Sequence, residues 1–427
     1  MAHKSIRPNV ILITVDCLRP DHLGCYGYAR NTSPFVDSLA REGLLYEQAF
    51  SHGGGTPESF PSLLSGVYPP TSERQYGHMH ALEGTIAELM LARGYRTAAF
   101  HSNPYLSRFF SYNLGFEEFF DNLPLAKAQN RSILARTLES SALSKFLNLA
   151  IRRHLPIKNA EEISSMALDW LRATNEQFFI WLHYMDLHQP SLPPPRYFDT
   201  LGIEKMHYLQ MLNTIRNFRE STDGLRGSNI QRIRDIYDCA IRYVDSQIHS
   251  LCDGLIDRNA FDNCIVLFSS DHGESLGEHN RLGHGSVYDE IIHVPLVFHG
   301  PGVLPDRRKM LVTTMGIKSS LANLSAGDSR NLNSVLRKGL VNPVSEGIIS
   351  VANNYPIGRL VISVRSQKWK FIQTRYKESN STKEELFDVE ADPNEVKNVI
   401  GTHPIASKMY PRIIQAYIDY SIRRAPS

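Results

Sequence analysis

Long hydrophobic runs are scarce in this chain of 427 residues. The apolar run nearest the start, residues 10–15, falls far short of the ~18 needed to span a bilayer, and no other stretch does better. The opening MAHKSIRPNVILITVD also lacks the layout of a secretory signal peptide, so a soluble, cytoplasmic protein with no membrane span is expected. Cysteine is sparse as well: Cys17, Cys25, Cys239, Cys252 and Cys264 are odd in number and have no CxxC spacing. They read as reduced, partly buried thiols, which excludes a disulfide framework and a cysteine zinc site. Excess charge is missing too. A net charge of +2 argues against a nucleic-acid partner and against an acidic tail. What is present, 42% hydrophobic and 21% charged residues, suits a globular protein with a sizeable core. The length exceeds the ~100–200 residues usual for one domain, so one large domain, alone or with a smaller one, is expected.

Short β-branched apolar runs alternate with amphipathic stretches. NVILITV (9–15) precedes a helical pattern at 33–44; RTAAFH (96–101) follows one at 85–94; FFIWLHYM (178–185) follows one at 163–173; CIVLFSS (264–270) follows a long one near 229–257. Strands apolar on both faces and separated by helices predict an α/β fold with a mainly parallel sheet covered on both sides. Residues 124–160 have helical periodicity without a strand beside them and read as a helical insertion, while 193–228, rich in Pro and basic residues, reads as a long surface connection. Beyond 303, VISVRSQKWKFIQT (361–374) and ELFDV (385–389) alternate like antiparallel strands, before a helix near 404–423. The expected division is therefore a catalytic domain, 1–303, and a smaller α+β subdomain, 304–427.

The chemistry collects just after the predicted strands. They end at Asp16, at His101-Ser102-Asn103, at His183 followed by His188, and at Asp271-His272-Gly273-Glu274. Ligands in open α/β sheets bind outside the carboxyl ends of the strands, so four strands deliver acids and histidines to one edge. Asp16, Asp271 and His272 suit a divalent cation, with Mn²⁺ or Zn²⁺ matching the mixed oxygen and nitrogen donors and Mg²⁺ or Ca²⁺ as alternatives. Taken singly, an Asp-His pair is as well explained by a surface turn. Gly53-Gly54-Gly55-Thr56-Pro57 reads as a helix start, Thr56 as N-cap and Pro57 first inside, with Pro61 implying a kink or a short helix. That position favours anions, three glycines allow a close approach, and a metal can activate the Thr56 hydroxyl. Its plain reading is a capping threonine. His284, between two glycines, and His188, in a turn, are poorly placed for core packing and are candidate acids. His183 is evenly balanced between site and core. Arg19 could bind an anion or pair with Asp21, and pairing is favoured.

These motifs resemble the sulfatase branch of the alkaline phosphatase superfamily along nearly the whole chain. PNVILITVDCLRPDHLGCYGY is similar to its first strand and metal aspartate, PSLLSGVYPP to the tail of its nucleophile motif, SDHGESLGEH…GHG…YDE…HVPLVFHGPG to its second metal motif, and ELFDVEADPNEVKNV to its closing segment. The resemblance implies an alkaline phosphatase/sulfatase-like fold and one divalent metal ion on Asp16, Thr56, Asp271 and His272. In that family a cysteine or serine, with an arginine further along the motif, is converted to formylglycine. Counted back from Leu63-Leu64-Ser65-Gly66, this chain has Thr56 at the nucleophile position and Phe60 at the arginine position. Threonine cannot form that aldehyde, so no formylglycine is expected. Thr56 is instead similar to the nucleophile of the phosphoglycerol and phosphoethanolamine transferases, and FHSNPYLSRFF to their segment carrying a substrate histidine, which implies His101, with Asn103 beside it.

The expected function is a metal-dependent hydrolase or transferase of phosphate esters. Thr56 would be its covalent nucleophile, His188 and His284 its acids, and His101, Asn103, His183 and Arg19 its substrate contacts. The ester substrate would be a small molecule, a glycan or a lipid headgroup. A sulfate ester hydrolase working without formylglycine is the alternative within the enzyme class. A catalytically silent anion- or glycan-binding protein is the alternative outside it.

Overall fold

The computed structural model describes residues 7–69, 77–79, 84–121, 157–220, 227–325, 333–334, 336, 340, 347–354 and 358–423. Most of the expected insertion at 124–160 lies outside the described residues. The strands are β1 (Asn9–Val15), β2 (Leu44–Phe50), β3 (Arg96–Phe100), β4 (Glu118–Phe120), β5 (Phe178–Tyr184), β6 (Cys264–Ser270), β7 (Ser275–Leu276), β8 (Leu282–Gly283), β9 (His293–His299), β10 (Asp306–Thr313), β11 (Ile348–Asn354), β12 (Arg359–Arg365), β13 (Trp369–Tyr376) and β14 (Ser381–Asp388). Eight of them form one sheet in the order β10-β2-β9-β6-β1-β5-β3-β4. β1 runs parallel to both β5 and β6, and β3 runs parallel to β5. β9 alone is reversed, antiparallel to β2 and β6. β2 therefore points the same way as β1, and the carboxyl ends of β1, β2, β3, β5 and β6 share one edge.

The apolar runs fold this way because both faces are buried. Ile11, Ile13 and Val15 join Ile180, Leu182, Val266 and Phe268 in one core, while Val10 and Leu12 join Phe179, Trp181, Ile265 and Leu267 in the other. That alternation is the two-residue period of a strand. The longer helices in chain order are α1 (Pro34–Glu42), α2 (Thr56–Ser65), α3 (Ile86–Ala92), α4 (Ala160–Ala173), α5 (Arg196–Thr200), α6 (Tyr208–Glu220), α7 (Gly227–Ile256), α8 (Asp289–Ile292), α9 (Gly316–Ser325) and α10 (Ala406–Arg423). α1, α4 and α7 cover the first face, and α2, α3 and α9 the second. Capping boxes start α3 at Thr85 and α4 at Asn159, each cap side chain accepting from the backbone three residues on.

Two expectations differ from the structure. Residues 193–228 are not a plain surface connection, because α5, α6 and the start of α7 occupy most of it. The prolines end at Pro195, and the apolar Tyr197, Phe198, Met211 and Ile215 that follow are buried against the core. Asp306–Thr313, beyond the expected boundary at 303, is nonetheless the edge strand of the large sheet, paired parallel to β2.

β11 to β14 form an antiparallel four-stranded sheet. One face packs on α10 through Val351, Ile362, Val364, Phe371, Tyr410 and Ile414. The other packs on Phe50, Val287, Tyr288, Ile291 and Ile292 of the large sheet and its loops. The edge strand β11 also bonds the loop after β2: Val351 N–H donates to His52 O (2.9 Å), and Gly54 N–H to Val351 O (2.9 Å). The smaller sheet thus braces the segment that leads into Thr56. No helix among the described residues is long and apolar enough to cross a membrane.

Candidate active site

Asp16 and Asp271 leave β1 and β6, adjacent parallel strands, and both carboxylates are fully buried. Asp271 Oδ1 is occupied by the His272 amide (2.9 Å), which leaves Oδ2 to accept from the Thr56 hydroxyl (3.1 Å). Asp16 Oδ2 accepts from Asn103 Nδ2 (3.1 Å) and lies 3.5 Å from His183 Nε2. Burial drives the Asp271 carboxyl up, and the Asp16 charge adds to it. For Asp16 burial acts in the same sense, but the imidazoles of His183, His188 and His272 outweigh it and bring the carboxyl far down.

His272 decides what this pair can hold. Its Nδ1 is 2.9 Å from Gly273 O, and a carbonyl only accepts, so Nδ1 carries the proton. Nε2 then presents a lone pair 3.4 Å from Asp271 Oδ2 and 3.9 Å from Asp16 Oδ1, with no hydrogen-bond donor on it. Three electron-rich groups converge in a dry site. A divalent cation relieves that arrangement, and the carbonyl behind Nδ1 sets the tautomer a metal-binding histidine needs. Donor atoms of Asp16, Asp271 and His272 all lie within 4.8 Å of one another, as do those of Cys17, His272 and His284.

Thr56 reaches the same point from the carboxyl end of β2. It is the first residue of α2, and Gly55, not Thr56, is the N-cap. The expected capping role therefore does not consume its hydroxyl, which donates to Asp271 instead. α2 runs ten residues with Pro61 inside it, short as expected. The glycines serve a purpose other than the expected one. A Cβ on Gly53 would meet Ser59 N at 2.2 Å, and one on Gly54 would meet Ser286 O at 1.9 Å. Their close approach is to the protein itself. Phe60 is fully buried, its ring edge-on to His183 at 4.9 Å, so an apolar side chain fills the position read as the family's arginine.

Among the other expected residues, His284 and His188 face the cluster, their ring centroids 5.3 Å apart, and His284 lies 4.5 Å from the His272 ring. His284 Nδ1 is 3.0 Å from Glu274 Oε2. Burial opposes its charge, but the Glu274 carboxylate outweighs it and pushes the imidazole up to about 9. Burial lowers His188. Asn103 is brought in, but as a support for Asp16. His183 hangs between Asp16 and Thr14 Oγ1 (3.0 Å), again behind the carboxylate. His101 is fully buried with its ring against Phe119 and Trp181, and neither ring nitrogen has a partner among the described residues. Arg19 is not brought in. Its guanidinium is held by Asp21 (2.9 and 2.7 Å), Glu278 (3.1 Å) and the Glu274 carbonyl (3.1 Å), so no donor is spare for a substrate anion.

Two residues at the centre had no role assigned from sequence. Glu274 holds His284, and its only signal was its place after Asp271-His272-Gly273. Cys17 sits at φ 62, a left-handed conformation uncommon for a residue with a Cβ, and its thiol donates to Asp16 Oδ1 (2.9 Å). Burial and then the Asp16 charge keep that thiol protonated. No spacing rule predicts a dihedral of this kind.

A family model described as Sulfatase matches residues 8–326. The iduronate 2-sulfatase of Homo sapiens is 29% identical over 69% of this chain and 60% of its own length. An arylsulfatase of Clostridium perfringens is 25% identical over 93% of this chain and 91% of its own. Among solved structures, the phosphonate monoester hydrolase of Agrobacterium radiobacter superposes with a TM-score of 0.64 over 98% of this chain and 95% of that one, at 18% identity.

Proposed function

The chain belongs to the sulfatase family of the alkaline phosphatase superfamily, and from that premise we propose that it is a metal-dependent hydrolase or transferase of phosphate or phosphonate esters with Thr56 as nucleophile. The supporting observation is the Thr56 hydroxyl, at the start of α2, hydrogen-bonded at 3.1 Å to an Asp271 carboxylate in a buried cluster with Asp16 and His272. Asp16, Asp271 and His272 would hold a divalent cation, whose charge favours the ionised hydroxyl and offsets charge gathering on the ester oxygens. Thr56 Oγ1 passes its proton towards Asp271 and attacks phosphorus in line, and the bond to the alcohol leaving group breaks. The N–H groups at the start of α2 face the equatorial oxygens. His284 gives the departing alcohol its proton. It then takes one from the water or acceptor alcohol that frees Thr56.

Phosphorus is favoured over sulfur on chemical grounds. A formylglycine hydrate expels sulfate by collapsing to an aldehyde, and threonine has no such exit, so a sulfated Thr56 would need direct hydrolysis. A phosphothreonine is an ordinary intermediate. The sulfatase relatives keep a sulfate ester hydrolase as the second reading. The experiment that separates them compares p-nitrophenyl phosphate, p-nitrophenyl phenylphosphonate and p-nitrophenyl sulfate on protein reconstituted in turn with Mn²⁺, Zn²⁺, Mg²⁺ and Ca²⁺. Higher kcat/KM on a phosphorus ester is expected; preference for the sulfate would overturn the choice.

The acid role of His284 has its own signature. An acid must be protonated, so the rate falls as pH rises through its pKa, near 9 beside Glu274. In Glu274→Gln the opposing carboxylate is gone and burial remains. The basic limb of the kcat profile should then move down by about 1–3 pH units. A limb that stays in place removes His284 from the role.

A further inference from the structure

A cavity of about 550 Å³ opens on the four-stranded sheet, lined by Asn353, Arg359, Gln373, Arg375, Lys377 and Ser381 among others. That volume is within the range of small-molecule sites. Three cations border it, and among the described residues no carboxylate pairs with any of them. Arg359 gives one N–H to Gly285 O (2.8 Å), and Arg375 binds the neutral side chains of Gln373 (2.8 Å) and Gln415 (3.2 Å). Burial and the nearby Arg281 charge both count against the Arg359 guanidinium, so like charges gather here uncompensated. Two buried donors, Arg359 Nε and Asn353 Nδ2, also have no acceptor. A buried donor left unmade costs about 1–3 kcal/mol, which an incoming acceptor recovers. Positive charge, spare donors and an open volume together specify an anion.

The cavity is joined to the candidate active site by backbone. Gly285 follows His284, accepts from Arg359, and donates its N–H to Gly54 O (2.7 Å), two residues before Thr56. Asn353 N–H donates to Glu58 Oε1 (2.8 Å) in the first turn of α2. The distance from Thr56 is thus on the order of 10 Å by chain geometry.

We propose that this cavity is a subsite for a second anionic group of the substrate, a sulfate or phosphate on the part that is not cleaved, so that the preferred substrates are polyanionic esters. The assignment rests on the ester-cleaving reading of the neighbouring site and adds a substrate class to it. The bound anion accepts from Arg359 Nε and Asn353 Nδ2, and Arg375 and Lys377 supply charge from the rim. Lys377 is exposed and Arg375 half-buried, so replacing them leaves the core intact.

The test is a calorimetric titration of the Thr56→Ala protein with a disaccharide sulfated on both rings and with the same disaccharide sulfated once, repeated in Thr56→Ala/Arg375→Ala/Lys377→Ala. The doubly sulfated sugar should bind about tenfold more tightly than the singly sulfated one in the first protein, a ratio that falls towards one in the second. Equal affinities in the first protein, or a ratio unmoved in the second, would overturn the subsite. Turnover of p-nitrophenyl phosphate by the unsubstituted enzyme is read separately. Its absence with every metal removes the ester reading while the binding ratio still judges the cavity.

Discussion

Replacing Thr56 by alanine is expected to lower kcat on p-nitrophenyl phosphate by about 10⁴-fold or more, because the group that forms the covalent bond is gone. The fold should survive the change. Gly55 is the N-cap of α2, so the threonine hydroxyl is not needed to start the helix, and its single hydrogen bond goes to Asp271. Asp16, Asp271 and His272 remain, so metal content measured by elemental analysis should fall far less than activity. Thr56→Ser keeps the hydroxyl at the same position and should retain most of the rate. A Thr56→Ala protein within tenfold of the unsubstituted one would make water the direct nucleophile. In that case Thr56 is only the first residue of a helix.

The second large effect falls on stability, at Lys370. This lysine on β13 is fully buried, its ammonium 2.6 Å from Asp289 Oδ1 on α8 and 2.9 Å from Glu395 Oε1. Arg365 Nε reaches the other Asp289 oxygen at 3.1 Å. Burial opposes the Asp289 charge, but Lys370 and Arg365 bring it down to about 2, whereas burial carries Glu395 up to about 8. The lysine is therefore the counter-charge that ties the smaller sheet to the loop following the active-site strand β6. Removing one partner of a buried charge cluster leaves the others uncompensated, which typically costs about 3–5 kcal/mol. Lys370→Ala should lower the guanidinium unfolding midpoint by an amount in that range, and unfolding should begin with loss of the smaller sheet. A change under about 1 kcal/mol would mean that water replaces the ammonium and that the cluster is not a brace.

Much of this architecture was legible in the strands. Runs such as NVILITV and CIVLFSS are apolar on both faces, which forces them inside a covered parallel sheet, and parallel strands bring Asp16 and Asp271 to one edge. Periodicity was less informative where composition masked it, as in 193–228, where prolines and charges hide helices that bury only a few residues. Side-chain direction was the larger loss. Arg19, His183 and Asn103 stand beside the site in sequence, yet Arg19 turns to Asp21 and the other two to the back of Asp16. Cys17 enters the cluster only because its backbone is left-handed. Arg359 and Asn353 come from strands some 300 residues further along the chain, and no local pattern could link them to Thr56.

The most direct test of the central claim is to mix the metal-loaded enzyme with p-nitrophenyl phosphate, quench in acid within the first turnover, and map the peptide containing Thr56 by mass spectrometry. A nucleophilic threonine predicts a phosphoryl adduct on Thr56, formed in step with a burst of p-nitrophenol equal to the enzyme present. Turnover without a burst, with Thr56 unmodified throughout, would contradict it.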